Sequence, residues 1–136
     1  VAIGAAPQPK AETMQYMLMF YETEAEVARR DDPALAPAYW GAWGAYIAAL
    51  SASGTVRAGS GLQPPRTATT VRVQGGQRQV QDGPYADTRE HLGGFFIIDV
   101  PALDQALEWA ARAPNASAGG TEVRPVLPPP AGMPVA

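Results

Sequence analysis

The stretch Asp82–Val100, DGPYADTREHLGGFFIIDV, constrains this chain more than any other. Asp82-Gly83-Pro84 reads as a turn, because glycine accepts a positive φ while proline fixes φ and donates no hydrogen bond. A dense run of ionisable side chains follows, with Asp87, Arg89, Glu90 and the sole histidine, His91. Leu92–Ile98 then turns almost continuously apolar around Gly93-Gly94, the pattern of a strand covered on both faces. A chain that delivers polar groups to the mouth of a buried strand must build layers on that strand, and the junction is a natural place for a site.

The remaining elements fall into place around it. Gln15–Tyr21 reads as a strand with Tyr16, Leu18 and Phe20 on one face and Met17, Met19 and Tyr21 on the other, both apolar. Glu22–Pro37 is a polar, acidic connection with a short helical turn around Ala25–Arg30. Between Pro37 and Gly54, a helix start and a helix stop, Trp40, Trp43, Ile47 and Leu50 recur at spacings of three and four and predict the buried stripe. Gly41 and Gly44 weaken that helix. Close packing is the commoner reason for such glycines, and admission of a ligand the rarer one. Thr55–Leu62 is a second strand, and Thr69–Val73 with Gln77–Gln81 forms a hairpin around Gly75-Gly76. Pro101 opens a second long helix with Leu103, Ala106, Leu107, Ala110 and Ala111 toward the core, ended by Pro114. Asn115–Gly120 reads as a flexible loop, and Glu122–Val126 as an edge strand, since Pro125 cannot donate to a central ladder.

The resulting order, β-α-β-hairpin-β-α-β, predicts an α+β fold of the ferredoxin-like, split βαβ type with an inserted β-hairpin. Two helices cover one sheet face only. The apolar residues on the other predict a homodimer joined sheet to sheet.

At 136 residues, the chain fits one domain of ordinary composition, 46% hydrophobic and 17% charged. Residues 1–13 are expected to be a cloning remnant or a disordered extension, residues 14–127 the domain, and residues 128–136 a proline-rich tail. The net charge of −3 without a clustered basic face argues against a nucleic-acid partner. No run approaches the ~20 apolar residues of a membrane helix. No cysteine is present, which excludes thiol nucleophiles and zinc–thiolate sites and agrees with a cytoplasmic location. A single histidine outside any HxH or HExxH spacing predicts no metal, and no cofactor-binding motif is present.

Asp82–Val100, followed by the ALDQALEWAAR helix and EVRPV, resembles the YCII-related family, in particular the branch named for its DGPF motif, with Tyr85 in place of the phenylalanine. The resemblance runs over roughly Met14–Val126 in element order. It implies a dimeric α+β barrel, small and soluble, in bacteria often encoded near extracytoplasmic-function sigma factors. The wider superfamily includes muconolactone isomerases, small monooxygenases and dehydrochlorinases, alongside many members with no assigned reaction. In shorter relatives a histidine on the first long helix, working with an aspartate, is the proposed catalytic pair. Counting back from Gly54 puts Trp43 near that position, so this chain lacks the histidine.

The candidate catalytic residues are therefore His91, whose unperturbed pKa near 6.5 suits proton transfer in either direction, with Asp82 or Asp87 to orient it. Arg124 and Arg57 are candidates for an anionic substrate group, and Tyr85 and Trp43 for further substrate contacts. Each has a structural rival: a cap-like histidine, an aspartate capping a turn, core aromatics, and an ion pair from Arg124 or Arg89 to a carboxylate between Asp82 and Glu90. Two functions follow from different classes. One is a cofactor-free, isomerase- or lyase-like enzyme doing proton transfer or elimination in a pocket between sheet and helix. The other is a non-catalytic dimeric module that binds a small ligand or regulates.

Overall fold

A computed structural model describes residues 12–134; the expectations for residues 1–13 and 128–136 fall partly outside that range. The elements are β1 (Met14–Thr23), α1 (Glu24–Ala28), α2 (Ala36–Ala52), β2 (Val56–Gly61), β3 (Thr69–Gln74), β4 (Gln77–Asp82), β5 (Glu90–Val100), α3 (Leu103–Arg112) and β6 (Gly120–Pro125). Four strands form one antiparallel sheet in the order β2-β5-β1-β6, the ferredoxin-like arrangement, and β3-β4 stand apart as a two-stranded hairpin. The two most apolar strands, β1 and β5, occupy the centre. β6, with Pro125 opposite Tyr16, lies at an edge. The hairpin turns on Gly75 (φ 57°) and Gly76 (φ 75°), both left-handed as a two-residue type I′ turn requires.

The core lies between one sheet face and α2 and α3. Tyr16, Leu18 and Phe20 of β1 and Ile98 and Val100 of β5 meet Tyr39, Trp43, Tyr46 and Leu50 of α2 and Ala106 and Ala110 of α3. Phe20 is its aromatic hub, edge-on to Trp43 at 5.1 Å, Tyr46 at 5.9 Å and Phe96 at 6.0 Å, geometries that add to simple area burial.

The buried stripes of both helices differ from the sequence expectation. In α2, Trp40 is 52% exposed and Ile47 40% exposed, and Tyr39 and Tyr46 take the inner positions. Both sets are spaced by threes and fours and share Trp43 and Leu50, so periodicity cannot separate them. The tyrosine hydroxyls decide it, because each finds an interior acceptor: Tyr39 donates to Glu22 Oε2 at 2.6 Å and Tyr46 to the Trp109 carbonyl at 2.8 Å. In α3, Leu103, Leu107 and Ala111 face outward, while Ala106 and Ala110 allow close approach to the sheet and Trp109 packs on Tyr46.

The Asn115–Gly120 segment is no loose loop. Asn115 is fully buried, and its side-chain amide donates to the Tyr21 and Gly120 carbonyls. It ties the turn before β6 to the centre of the sheet.

Close packing does not account for the glycines of α2, since a Cβ on Gly41 or Gly44 would meet nothing within 4 Å. Gly93 is the opposite case. It sits where the β1–β5 register shifts, between Phe20 opposite Gly94 and Tyr21 opposite Leu92, and a Cβ there would overlap Glu22 Oε1. Gly93→Ala should accordingly destabilise the fold by about 1–3 kcal/mol. Gly41→Ala should stabilise it by about 0.5–1 kcal/mol through helix propensity. Urea denaturation of the two variants checks both signs.

Candidate functional site

A cavity of about 530 Å³ opens between α2 and the sheet, bounded by β1, β2 and β5. Its walls are largely aromatic and aliphatic, with Phe20, Trp40, Trp43, Ile47 and Phe96, and Gly44 leaves room on the α2 side. An apolar concavity holding a few convergent polar groups is the usual form of a small-molecule site.

Three of the polar side chains lining it are joined in one cluster. Glu22 falls at the next inward position after Tyr16, Leu18 and Phe20, and it is only 1% exposed. Arg30, just beyond α1, donates through Nη2 to Glu22 Oε1 at 2.6 Å and through Nε to Tyr39 Oη at 3.0 Å. Tyr39, in the first turns of α2, donates to Glu22 Oε2 at 2.6 Å. Arg30 also donates to the Leu62 carbonyl at 2.6 Å and the Gly93 carbonyl at 3.4 Å, which joins the β2 and β5 ends to the same cluster. α1 aims Arg30, and a capping box fixes α1 in turn: Thr23 Oγ1 accepts from the Glu26 amide and Glu26 Oε1 from the Thr23 amide.

Burial pushes the Tyr39 phenol up to about 12, helped by its hydrogen bond to Glu22. Burial lowers Arg30, but the bonds to Tyr39 and Glu22 outweigh it and leave the guanidinium above its ordinary value. Tyr39 is thus a neutral donor and Arg30 a permanent cation.

The residues singled out from sequence are scattered. Trp43 lines the cavity. His91 does not; it lines a second depression of about 960 Å³ with Glu22, Glu24, Arg66, Asp87 and Arg89, and its Nε2 is buried without a hydrogen-bond partner among the described residues. That depression is larger, but its charged side chains are mostly exposed and form no ion pairs with one another. Neither Asp82 nor Asp87, both exposed, hydrogen-bonds His91. Tyr85 is 75% exposed with Arg72 over its ring. Arg57 pairs with Asp99 at 3.5 Å. Arg124 pairs with Glu122, two residues away on the same face of β6, and the expected pairing of Arg124 or Arg89 with a carboxylate between Asp82 and Glu90 is absent among the described residues. The local partner wins because Glu122 shares a strand face with Arg124, whereas β1 and β5 separate β6 from the charged loop.

Glu22, Arg30 and Tyr39 escaped sequence reasoning. The available signal was parity: an acidic residue in phase with three buried aromatic and aliphatic positions needs a partner. The cluster also contributes to the alkaline behaviour. Below pH 10 folded and unfolded chains both hold the phenolic proton. Between pH 10 and about 12 the unfolded chain releases it and the folded chain does not, so stability falls as pH rises. Tyr39→Phe should lessen that fall without abolishing it, since burial raises the Tyr46 phenol as well, and should cost about 1–3 kcal/mol at neutral pH by leaving Glu22 short of a donor. Denaturant titrations from pH 7 to 12 measure both effects.

Comparison with known proteins agrees with the fold and leaves the chemistry open. Over 67 residues the chain is 46% identical to the uncharacterized protein R00369 of Rhizobium meliloti (strain 1021), a stretch covering 48% of this chain and 54% of that protein. The chain thus spans about half the length of that relative. Residues 14–129 match the model of the YCII-related domain, nearly the whole of the sheet-and-helix unit described above, and the chain belongs to the YCII-related family.

Proposed function

We propose that the chain is a small-molecule enzyme that performs proton transfer or elimination in the aromatic cavity, with Glu22 as the proton acceptor. The observation that carries this reading is a buried carboxylate, held on both oxygens by Arg30 and Tyr39, at the floor of an apolar cavity. A general base needs orientation as well as basicity, and two hydrogen bonds supply it. Glu22 would remove a proton from a weakly acidic C–H or O–H, and the bonding pair would stay on the substrate. Once Glu22 holds the proton, the Arg30 charge that it balanced stands uncompensated near the developing anion, and a fixed charge so placed favours it. Returning the proton to a different atom completes an isomerisation. Departure of a leaving group with its bonding pair completes an elimination.

The acid–base role assigned to His91, Asp82 and Asp87 from sequence passes in this reading to Glu22. Trp43 keeps a place as a wall of the substrate site, whereas Arg124, Tyr85 and Arg57 lie outside it. A non-catalytic binding module is favoured by one observation: Glu22 and Arg30 already satisfy each other, as a purely structural pair would. Deuterium uptake from D₂O into a panel of cyclic ketones and lactones, followed by NMR, separates the two. Glu22→Gln should slow uptake by about 10²–10⁴-fold, and His91→Gln should leave it nearly unchanged. Binding without uptake by any compound supports the module.

The helix-free sheet face supports the homodimer. Met17, Met19 and Tyr21 of β1 lie beside Phe95 and Ile97 of β5, all half-buried in the single chain, with the Arg57–Asp99 and Arg124–Glu122 pairs at the margins. An apolar centre with a charged rim is the composition of a protein interface. Light scattering at micromolar concentration should give the mass of two chains, and Phe95→Asp should yield monomer or aggregate. A monomer from the unaltered chain defeats the proposal. Among the described residues no helix is long and apolar enough to cross a membrane.

A further inference from the structure

The polar groups at the floor of the cavity are unequally occupied. A guanidinium has five N–H donors, and four hydrogen bonds run from Arg30 to protein acceptors: Tyr39 Oη, the Leu62 carbonyl, Glu22 Oε1 and the Gly93 carbonyl. Its cationic centre also lies 5.7 Å from the ring centroids of Tyr39 and Trp40, which close over it. An incoming carboxylate or phosphate would have to displace Glu22 to reach that cation. Glu22 is less fully used. Each of its oxygens takes one donor, and a carboxylate offers about four acceptor sites, so roughly half have no donor among the described residues.

Charge points the same way. The charged side chains lining the cavity are two carboxylates, Glu22 and Asp31, against the single guanidinium of Arg30. Asp31 is exposed at the rim and pairs with Arg66 at 3.4 Å, an exposed pair that does little to offset its charge. Flat aromatic walls suit a ring, and the faces of Trp40, Trp43 and Phe20 attract cationic groups.

We propose that the cavity takes an uncharged or cationic ring-bearing molecule that donates an O–H or N–H to Glu22, and that it rejects anions of the same shape. This rests on the cavity being the ligand site, as proposed above, and holds whether or not a reaction follows. The exclusion of anions comes from repulsion by Glu22 and Asp31 and from the absence, among the described residues lining the cavity, of a free cation, a discrimination built against the wrong ligand as well as for the right one. It reverses the expectation that an arginine receives an anionic substrate group.

Benzyl alcohol, benzylamine and benzoate share a shape and differ in charge. Titration of the full chain with each, read by ligand-observed NMR and tryptophan fluorescence, should show the alcohol and the amine binding at least about tenfold more tightly than benzoate. Glu22→Gln should erase the preference of benzylamine over benzoate. Should that variant not fold, Trp40→Ala, altered at an exposed position of the cavity mouth, should weaken all three probes and leave the circular dichroism spectrum intact. Benzoate binding as tightly as benzylamine overturns the proposal, and so does failure of all three probes to bind. Tight binding of the alcohol in a protein that exchanges no ring C–H supports the ligand class while removing the enzyme reading.

Discussion

The Glu22 carboxylate occupies the strand face that otherwise carries Tyr16, Leu18 and Phe20, and an unpaired charge there would cost several kcal/mol. Much of the local architecture answers that demand. α1 is five residues long, too short to persist alone, yet a capping box fixes it and it ends where Arg30 can reach back to β1. The start of α2 brings Tyr39 to the second oxygen. Gly93 bulges out of register so that the carboxylate has room, and its carbonyl accepts from both Arg30 and the Leu62 amide. One buried acid thus links β1, α1, α2, β5 and the end of β2.

The composition of α2 follows from its position between core and cavity. Its 17 residues contain no charged side chain. A helix apolar on every side ordinarily lies within a larger core, but here Trp40, Gly44 and Ile47 border an open concavity. The inner positions go to aromatics whose hydroxyls find acceptors, and the flank keeps the residues that shape the void. Gly44 carries a helix-propensity cost with no packing gain within 4 Å, which fits a position where bulk would narrow the cavity.

Local rules reached far into this fold. The alternation of β1, the double glycine of the hairpin, Gly54 after α2 and Pro125 on an edge strand each act through backbone geometry within a few residues, and the sheet order follows from the element order. What periodicity could not resolve were choices among equivalent patterns. Tyr39/Trp43/Tyr46/Leu50 and Trp40/Trp43/Ile47/Leu50 are both spaced by threes and fours, and acceptors distant in sequence, Glu22 and the Trp109 carbonyl, separate them. The site was less legible for the same reason. Glu22, Arg30 and Tyr39 sit in three different segments and carry no motif, whereas Asp82–His91 is dense in ionisable groups and draws notice without converging on anything. Composition marks a cluster along the chain, but chemistry needs a cluster in space.

The two concavities meet at Glu22, which together with Pro64 lines both. On one side is the aromatic cavity. On the other is the charged loop with His91, which stands opposite Glu22 in the β1–β5 register, close enough for cross-strand neighbours on one face to interact. The extra residue at the Gly93 bulge inverts the alternation, so that His91 rather than Leu92 falls on the face of Phe96 and Ile98, on the Glu22 side. The carboxylate therefore borders an aromatic concavity on one side and a charged one on the other. In the reading proposed above, the base meets a ligand on the aromatic side and exchanges its proton on the charged side. The Asp82-Gly83-Pro84 turn contributes through architecture: it closes the hairpin and leads toward β5, whose entry sets His91 opposite Glu22.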